Sequence, residues 1–159
     1  MTLALVALGS NLSPRRRTLL AAVDELAALP GTTVVALSAL RETAPVDCAA
    51  GAPGFLNGAV LLETSLPPRA LLDELLALER RHGRRREAGE ARHAPRTLDL
   101  DLILHGETVL DEPGLTLPHP RAHERLFVLE PAAEIAPALR HPVLGVTLAA
   151  LRDGLACGR

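Results

Sequence analysis

The chain has no lysine: each of its 17 basic residues is arginine. That removes the P-loop lysine that grips nucleotide phosphates and the lysine of Schiff-base chemistry. Tryptophan and tyrosine are also missing, so the aromatic inventory is Phe55 and Phe127 alone. A multi-aromatic platform for stacking nucleic-acid bases is hard to build from that stock. Cys48 and Cys157 lie far apart and share no CxxC spacing, which argues against a zinc site or a disulfide framework and fits a reducing compartment. The apolar start, MTLALVALGSN, lacks a basic leader and breaks at Gly9, too soon for a signal segment or a membrane span. Together with a formal net charge of −2, these absences set the expectation of a cytoplasmic protein that engages neither nucleic acid nor membrane.

What is present reads as a single domain over residues 1–159, a length that buries roughly 70% of the unfolded surface without staples. Thr2 to Leu8 has the pattern of a strand. Ser13 is placed to cap a helix with Pro14 in its first turn, and apolar residues follow at helical spacing to Leu29. TTVVALSAL and GFLNGAVLLETSL read as strands on either side of a Pro/Ala/Gly-rich loop. Leu71, Leu72, Leu75, Leu76 and Leu78 mark a second amphipathic helix running toward His82. A segment with seven arginines in 17 residues follows, RRHGRRREAGEARHAPR. Then come a strand from about Thr97 to Leu104, a turn at HGE, a short strand TVL, and a tail of loops and helical turns with a last helix near Val146 to Leu151. The order βαββαβ predicts an α+β domain, an antiparallel sheet with helices on one face; a doubly wound parallel sheet is the competitor.

The strand TLDLDLIL poses a chemical question. Leucine fills every second place, and Asp99 and Asp101 stand between. Residues i and i+2 of a strand share a face about 6.5 to 7 Å apart, and two unit charges at that distance repel by roughly 2.5 kcal/mol at an effective dielectric near 20. A wet outer strand face is the plain explanation. The neighbours offer another, because Arg84, Arg85, Arg86, Arg92 and Arg96 lie just upstream. Guanidinium forks grip phosphate and carboxylates bind magnesium, so the two features together describe a site for a polyphosphate with Mg²⁺.

The segments ALGSNL, FLNGAVLLETSL, APRTLDLDLILHG and LTLPHPRAHERLFVLEPAAEIAP, in this order, closely resemble the 6-hydroxymethyl-7,8-dihydropterin pyrophosphokinases of folate biosynthesis. The resemblance covers nearly the whole chain, and its P-R-x-L-D-L-D segment is a highly specific mark. It implies a ferredoxin-like α+β fold and transfer of the β,γ-diphosphate of ATP to the hydroxymethyl group of the reduced pterin, leaving AMP. It implies that Asp99 and Asp101 hold two Mg²⁺ ions with ATP, and that Arg84 and Arg96 contact the phosphates during transfer. Glu79, Leu102, His119 and Arg125 would line the nucleotide, although a surface salt bridge is an equal reading of Glu79. Asn57 would read the pterin's polar edge, Thr43, Ala44, Pro45 and Val46 would supply backbone groups to it, and Phe55 and Phe127 would sandwich its ring. A monomer is expected. The chain departs from the family where His93 replaces a usual tryptophan in a slightly longer arginine-rich loop, and where Pro120 replaces a tyrosine.

Two other classes share parts of the pattern. A two-metal nuclease or phosphohydrolase has the acid pair but normally wants a further acid in the same motif. A ferredoxin-like nucleic-acid module is disfavoured by the charge and the missing strand aromatics. His119 and His123, four apart, lack the H-E-x-x-H pattern of a zinc site. Arg15 to Arg17 are expected on a solvated helix face.

Overall fold

The computed structural model of the chain describes residues 1–11, 14–43, 55–82 and 98–157; Ser13 and Cys48 lie outside them. Strand β1 (Thr2–Ser10) is followed by α1 (Arg15–Ala27), β2 (Thr32–Leu37), β3 (Arg41–Thr43), β4 (Phe55–Thr64), α2 (Pro68–Arg81) and β5 (Asp99–His105). Then come β6 (Leu110–Glu112), β7 (Leu115–Leu117), a single 3₁₀ turn, α3 (Leu126–Ile135) and α4 (Leu148–Cys157). The main sheet has the order β2-β4-β1-β5, with β3 also on β4, and every pairing in it is antiparallel. The α+β expectation therefore holds, in the ferredoxin-like order of elements, and the parallel alternative is excluded.

Helices cover both faces of the sheet, not one. On the first face Leu19 and Leu26 of α1 and Leu71, Leu75 and Leu78 of α2 pack against Val6, Leu62, Leu100 and Leu102. On the second, Val128, Leu129 and Ala132 of α3 cover Leu5, Leu61, Ile103 and Leu104. The reason lies in the strands: β1, β4 and β5 are apolar on both faces over most of their length, and each face must be removed from water.

The leucine alternation of β5 also breaks. Leu102 opposes Val6 while Leu104 opposes Leu5, so Ile103 is an extra residue in the ladder. This β-bulge turns Leu104 to the α3 side, whereas Leu98, Leu100 and Leu102 stay with α1 and α2. At α1 the capping position belongs to Pro14, one residue later than expected, and its carbonyl accepts the Thr18 N–H at 3.0 Å. The expected short strand TVL begins only at Leu110 and forms a hairpin with Leu115–Leu117. Pro113 and Gly114 connect the two strands, with Gly114 at φ 77°, a backbone conformation that suits glycine.

Helix α3 is clamped to the sheet through Glu134. Its carboxylate accepts the Ala39 backbone N–H at 2.8 Å and pairs with the Arg41 guanidinium. The Ala39 hydrogen bond holds the carboxyl below its ordinary value of 4.5; partial burial opposes this and Arg41 adds to it. A carboxyl depressed in the folded state binds fewer protons there than in the unfolded chain, so its stabilisation is present above the unfolded value and lost as pH falls through the folded one. Glu134→Gln should therefore lower the urea midpoint near neutral pH, and the gap to the parent protein should close as pH falls below 4.5.

Candidate functional site

Directly opposed residues of antiparallel strands share a face. The register thus lines up Arg41, Asn57, Gly9 and Asp99 in one row across β3, β4, β1 and β5, and Ala59, Ala7 and Asp101 in the next across β4, β1 and β5. These rows lie on the α3 side of the sheet, near the start of that helix. Alanine and glycine in β1 leave the floor low between Asn57 and the two carboxylates. A Cβ on Gly9 would come within 3.0 Å of Asn57 Oδ1, which is why the strand carries glycine there.

A cavity of about 370 Å³ opens over this floor, lined by Phe55, Asn57, Asp99, Asp101, Arg125 and Phe127. The chain's two aromatic rings therefore meet in one place. Phe127, in the first turn of α3, is 41% exposed, and the Arg125 guanidinium carbon sits 5.9 Å from its ring centre, within cation–π range.

A second cavity of about 520 Å³ wraps the outer edge of β5, with Leu72 and Glu79 of α2, Leu102, Thr116 of β7 and His119 in its walls. Asp99, Asp101 and Arg125 line this cavity as well. Burial pushes the half-buried His119 imidazole below its ordinary value, the Arg125 and Arg121 charges push the same way, and Asp99 opposes them. Its Nδ1 accepts the Arg121 N–H at 3.2 Å, so in the neutral ring the proton resides on Nε2, which is left as a donor.

Most expected site residues fall into these two cavities. Phe55, Asn57 and Phe127 share the first with both aspartates, while Glu79, Leu102 and His119 share the second. Thr43 ends β3, its backbone paired opposite Phe55. Ala44, Pro45, Val46, Arg84, His93 and Arg96 lie outside the described residues. Glu79 is not on the surface as the salt-bridge reading required. It is 3% exposed, and its Oε2 accepts the Leu100 N–H at 2.7 Å. Among the described residues His119 and His123 belong to no group of three potential metal-ligating side chains; His123 packs edge-on to His141 with ring centres 5.8 Å apart.

Sequence reasoning missed the floor residue Gly9 and the β7 wall. A glycine inside a strand pattern was the available signal for the first, and Pro113-Gly114 between two short apolar runs for the second. Among the described residues no three His, Cys, Asp or Glu side chains gather as a metal cage. Two carboxylates suffice for Mg²⁺, which keeps several waters and takes its remaining ligands from substrate phosphates.

The family model described as 7,8-dihydro-6-hydroxymethylpterin-pyrophosphokinase (HPPK) matches residues 5–137. A 2-amino-4-hydroxy-6-hydroxymethyldihydropteridine pyrophosphokinase of Pseudomonas aeruginosa is 47% identical over 137 residues, 86% of this chain and 82% of that protein. One from Synechocystis is 41% identical over 97% of this chain and 76% of its own length. Among solved structures, wild-type Plasmodium falciparum HPPK-DHPS with pteroate superposes with a TM-score of 0.72 over 96% of this chain at 13% identity. That likeness speaks for the fold alone, and this chain spans 42% of the Plasmodium chain. No helix among the described residues is long and apolar enough to cross a membrane.

The Gly9 contact yields a test. Gly9→Ala should fold but press the Asn57 carboxamide back by a few tenths of an ångström, and because misplacements of about 1 Å cost up to roughly 100-fold, we expect a loss of kcat/KM of about two- to fivefold. Steady-state kinetics together with a thermal melt separates this from simple destabilisation.

Proposed function

The chain belongs to the 7,8-dihydro-6-hydroxymethylpterin-pyrophosphokinase family, and from that premise we propose how its two cavities divide the family's reaction. The activity is ATP-dependent transfer of a pyrophosphoryl group to 6-hydroxymethyl-7,8-dihydropterin in folate biosynthesis. In this reading the pterin hydroxyl oxygen forms a bond to the β-phosphorus of ATP and loses its proton. The bond from that phosphorus to the oxygen bridging it to the α-phosphate breaks, and AMP departs with the bridging oxygen.

The observation that carries the division is that Asp99 and Asp101 line both cavities. A flat heterocycle fits the first, between the rings of Phe55 and Phe127, with the Asn57 carboxamide available to its donors and acceptors; each ring adds about 0.5 to 1.5 kcal/mol beyond area burial. The nucleotide fits the second, along Leu72, Leu102 and Thr116, with the His119 Nε2–H and the Arg125 guanidinium offered to phosphate oxygens. Asp99 and Asp101 are the residues to hold magnesium, two ions with ATP; when bound, these neutralise phosphate charge and stabilise the transferring group. Arg84 and Arg96 are assigned to the phosphates on their family positions.

Positioning and electrostatics carry catalysis of this class, so rings that orient the hydroxyl and acids that fix the phosphates act on different quantities. We also assign the protein to the cytoplasm, as a monomer working as one unit over residues 1–159.

The direct test incubates purified protein with ATP, Mg²⁺ and the hydroxymethyl pterin and separates AMP from ADP by chromatography. AMP should appear only when pterin and metal are both present; ADP, or AMP without pterin, would overturn the assignment. Asp101→Ala should cost more in kcat than Phe55→Ala, whose loss should fall mainly on pterin KM. Equal losses in kcat with unchanged pterin affinity would contradict that division of labour.

A further inference from the structure

Glu79 is in the last turn of α2, yet it is 3% exposed. Its Oε2 accepts the backbone N–H of Leu100 at 2.7 Å, the peptide between the two aspartates. Among the described residues strand β5 ends the sheet and pairs only with β1, so an N–H on its outer side has no described strand to bond. The Leu100 side chain is buried on the α1–α2 face of the sheet, while Asp99 and Asp101 line the cavities. Holding this one amide therefore fixes the pleat that aims both carboxylates. Glu79 does not form a three-acid metal cage with them, and the oxygen it commits to the amide is engaged by the protein itself.

We propose that Glu79 is a positioning residue for the metal-binding pair, acting through the Leu100 amide to hold Asp99 and Asp101 in their mutual geometry. The inference rests on the proposed magnesium role of those aspartates and extends it to a residue of α2. Outer partners that orient metal ligands typically contribute 10- to 100-fold in ion affinity or activity. What the Leu100 amide requires is an acceptor oxygen at the right reach. Glutamine supplies such an oxygen. Aspartate, one methylene shorter, keeps the charge but withdraws it from the amide.

The test measures two quantities on the full chain carrying Glu79→Gln or Glu79→Asp. Hydrogen exchange at the Leu100 amide is followed by NMR, and Mn²⁺ affinity in the presence of a non-hydrolysable ATP analogue is followed by electron paramagnetic resonance. Glu79→Asp should speed exchange at Leu100 by about tenfold or more and weaken Mn²⁺ binding by roughly 10- to 100-fold. Glu79→Gln should hold both near the parent values, because its carboxamide oxygen still accepts the bond. The proposal is wrong if the two quantities do not move together, or if Glu79→Asp moves neither. It is also wrong if Glu79→Gln loses Mn²⁺ affinity while Leu100 stays protected, since Glu79 would then act by its charge. Failure of the unsubstituted protein to bind Mn²⁺ would instead strike the metal reading of Asp99 and Asp101.

Discussion

Everything at the site depends on the register of β1, which lies between β4 and β5 and sets Gly9 between Asn57 and Asp99. A slip of one residue on either side would turn every side chain of a strand to the other face. Such a slip is resisted because Leu8 and Val6 are buried against α1 and α2 while Leu5 is buried under α3. The apolar packing thus dictates which polar groups face one another, and the low floor at Ala7 and Gly9 follows from the same alternation.

Two local irregularities adapt this regular frame to chemistry. The bulge at Ile103 lets β5 carry acids toward the cavities at Asp99 and Asp101 and an apolar side chain toward α3 at both Ile103 and Leu104. The Glu79 bond to Leu100 closes the outer side of the same strand. Leaving such a buried N–H without an acceptor would cost about 1 to 3 kcal/mol, so α2 gives β5 an acceptor on the side where no described strand pairs with it. A carboxylate that looks like ordinary helix-surface charge is in this way part of the sheet.

The frame was largely legible in the sequence where a single periodicity governs a segment. The leucines of α2 and the alternation at Leu98 to Leu102 each obey one rule over their whole length, and the β-branched run of β2 marks a strand despite the register shift between Val34 and Ala36. Legibility failed where two rules compete. Ile103 interrupts the alternation without any glycine or proline to announce it. Pro131 inside α3 suggests broken turns, because it cannot donate to the Phe127 carbonyl, yet burial of Val128, Leu129 and Ala132 carries the helix through. Phe55 and Phe127 stand 72 positions apart, and only the start of α3 beside β4 brings their rings to one cavity. Glu79 belonged to a polar stripe by spacing, and its burial is a tertiary fact no local pattern encodes.

The edge position of β5 has a consequence apart from the reaction. An end strand invites pairing with the same strand of another molecule wherever its hydrogen-bonding groups stay open, and proteins blunt such edges with charge; in β5 Glu79 already takes the Leu100 N–H, and the Ile103 carbonyl already accepts the His119 N–H. Two fixed aspartates at alternate places, on a strand otherwise composed of leucine, isoleucine and a terminal histidine, make two copies of β5 repel at close approach. Two carboxylates at alternate places thus oppose the pairing of this strand with a second copy of itself, whatever else they bind.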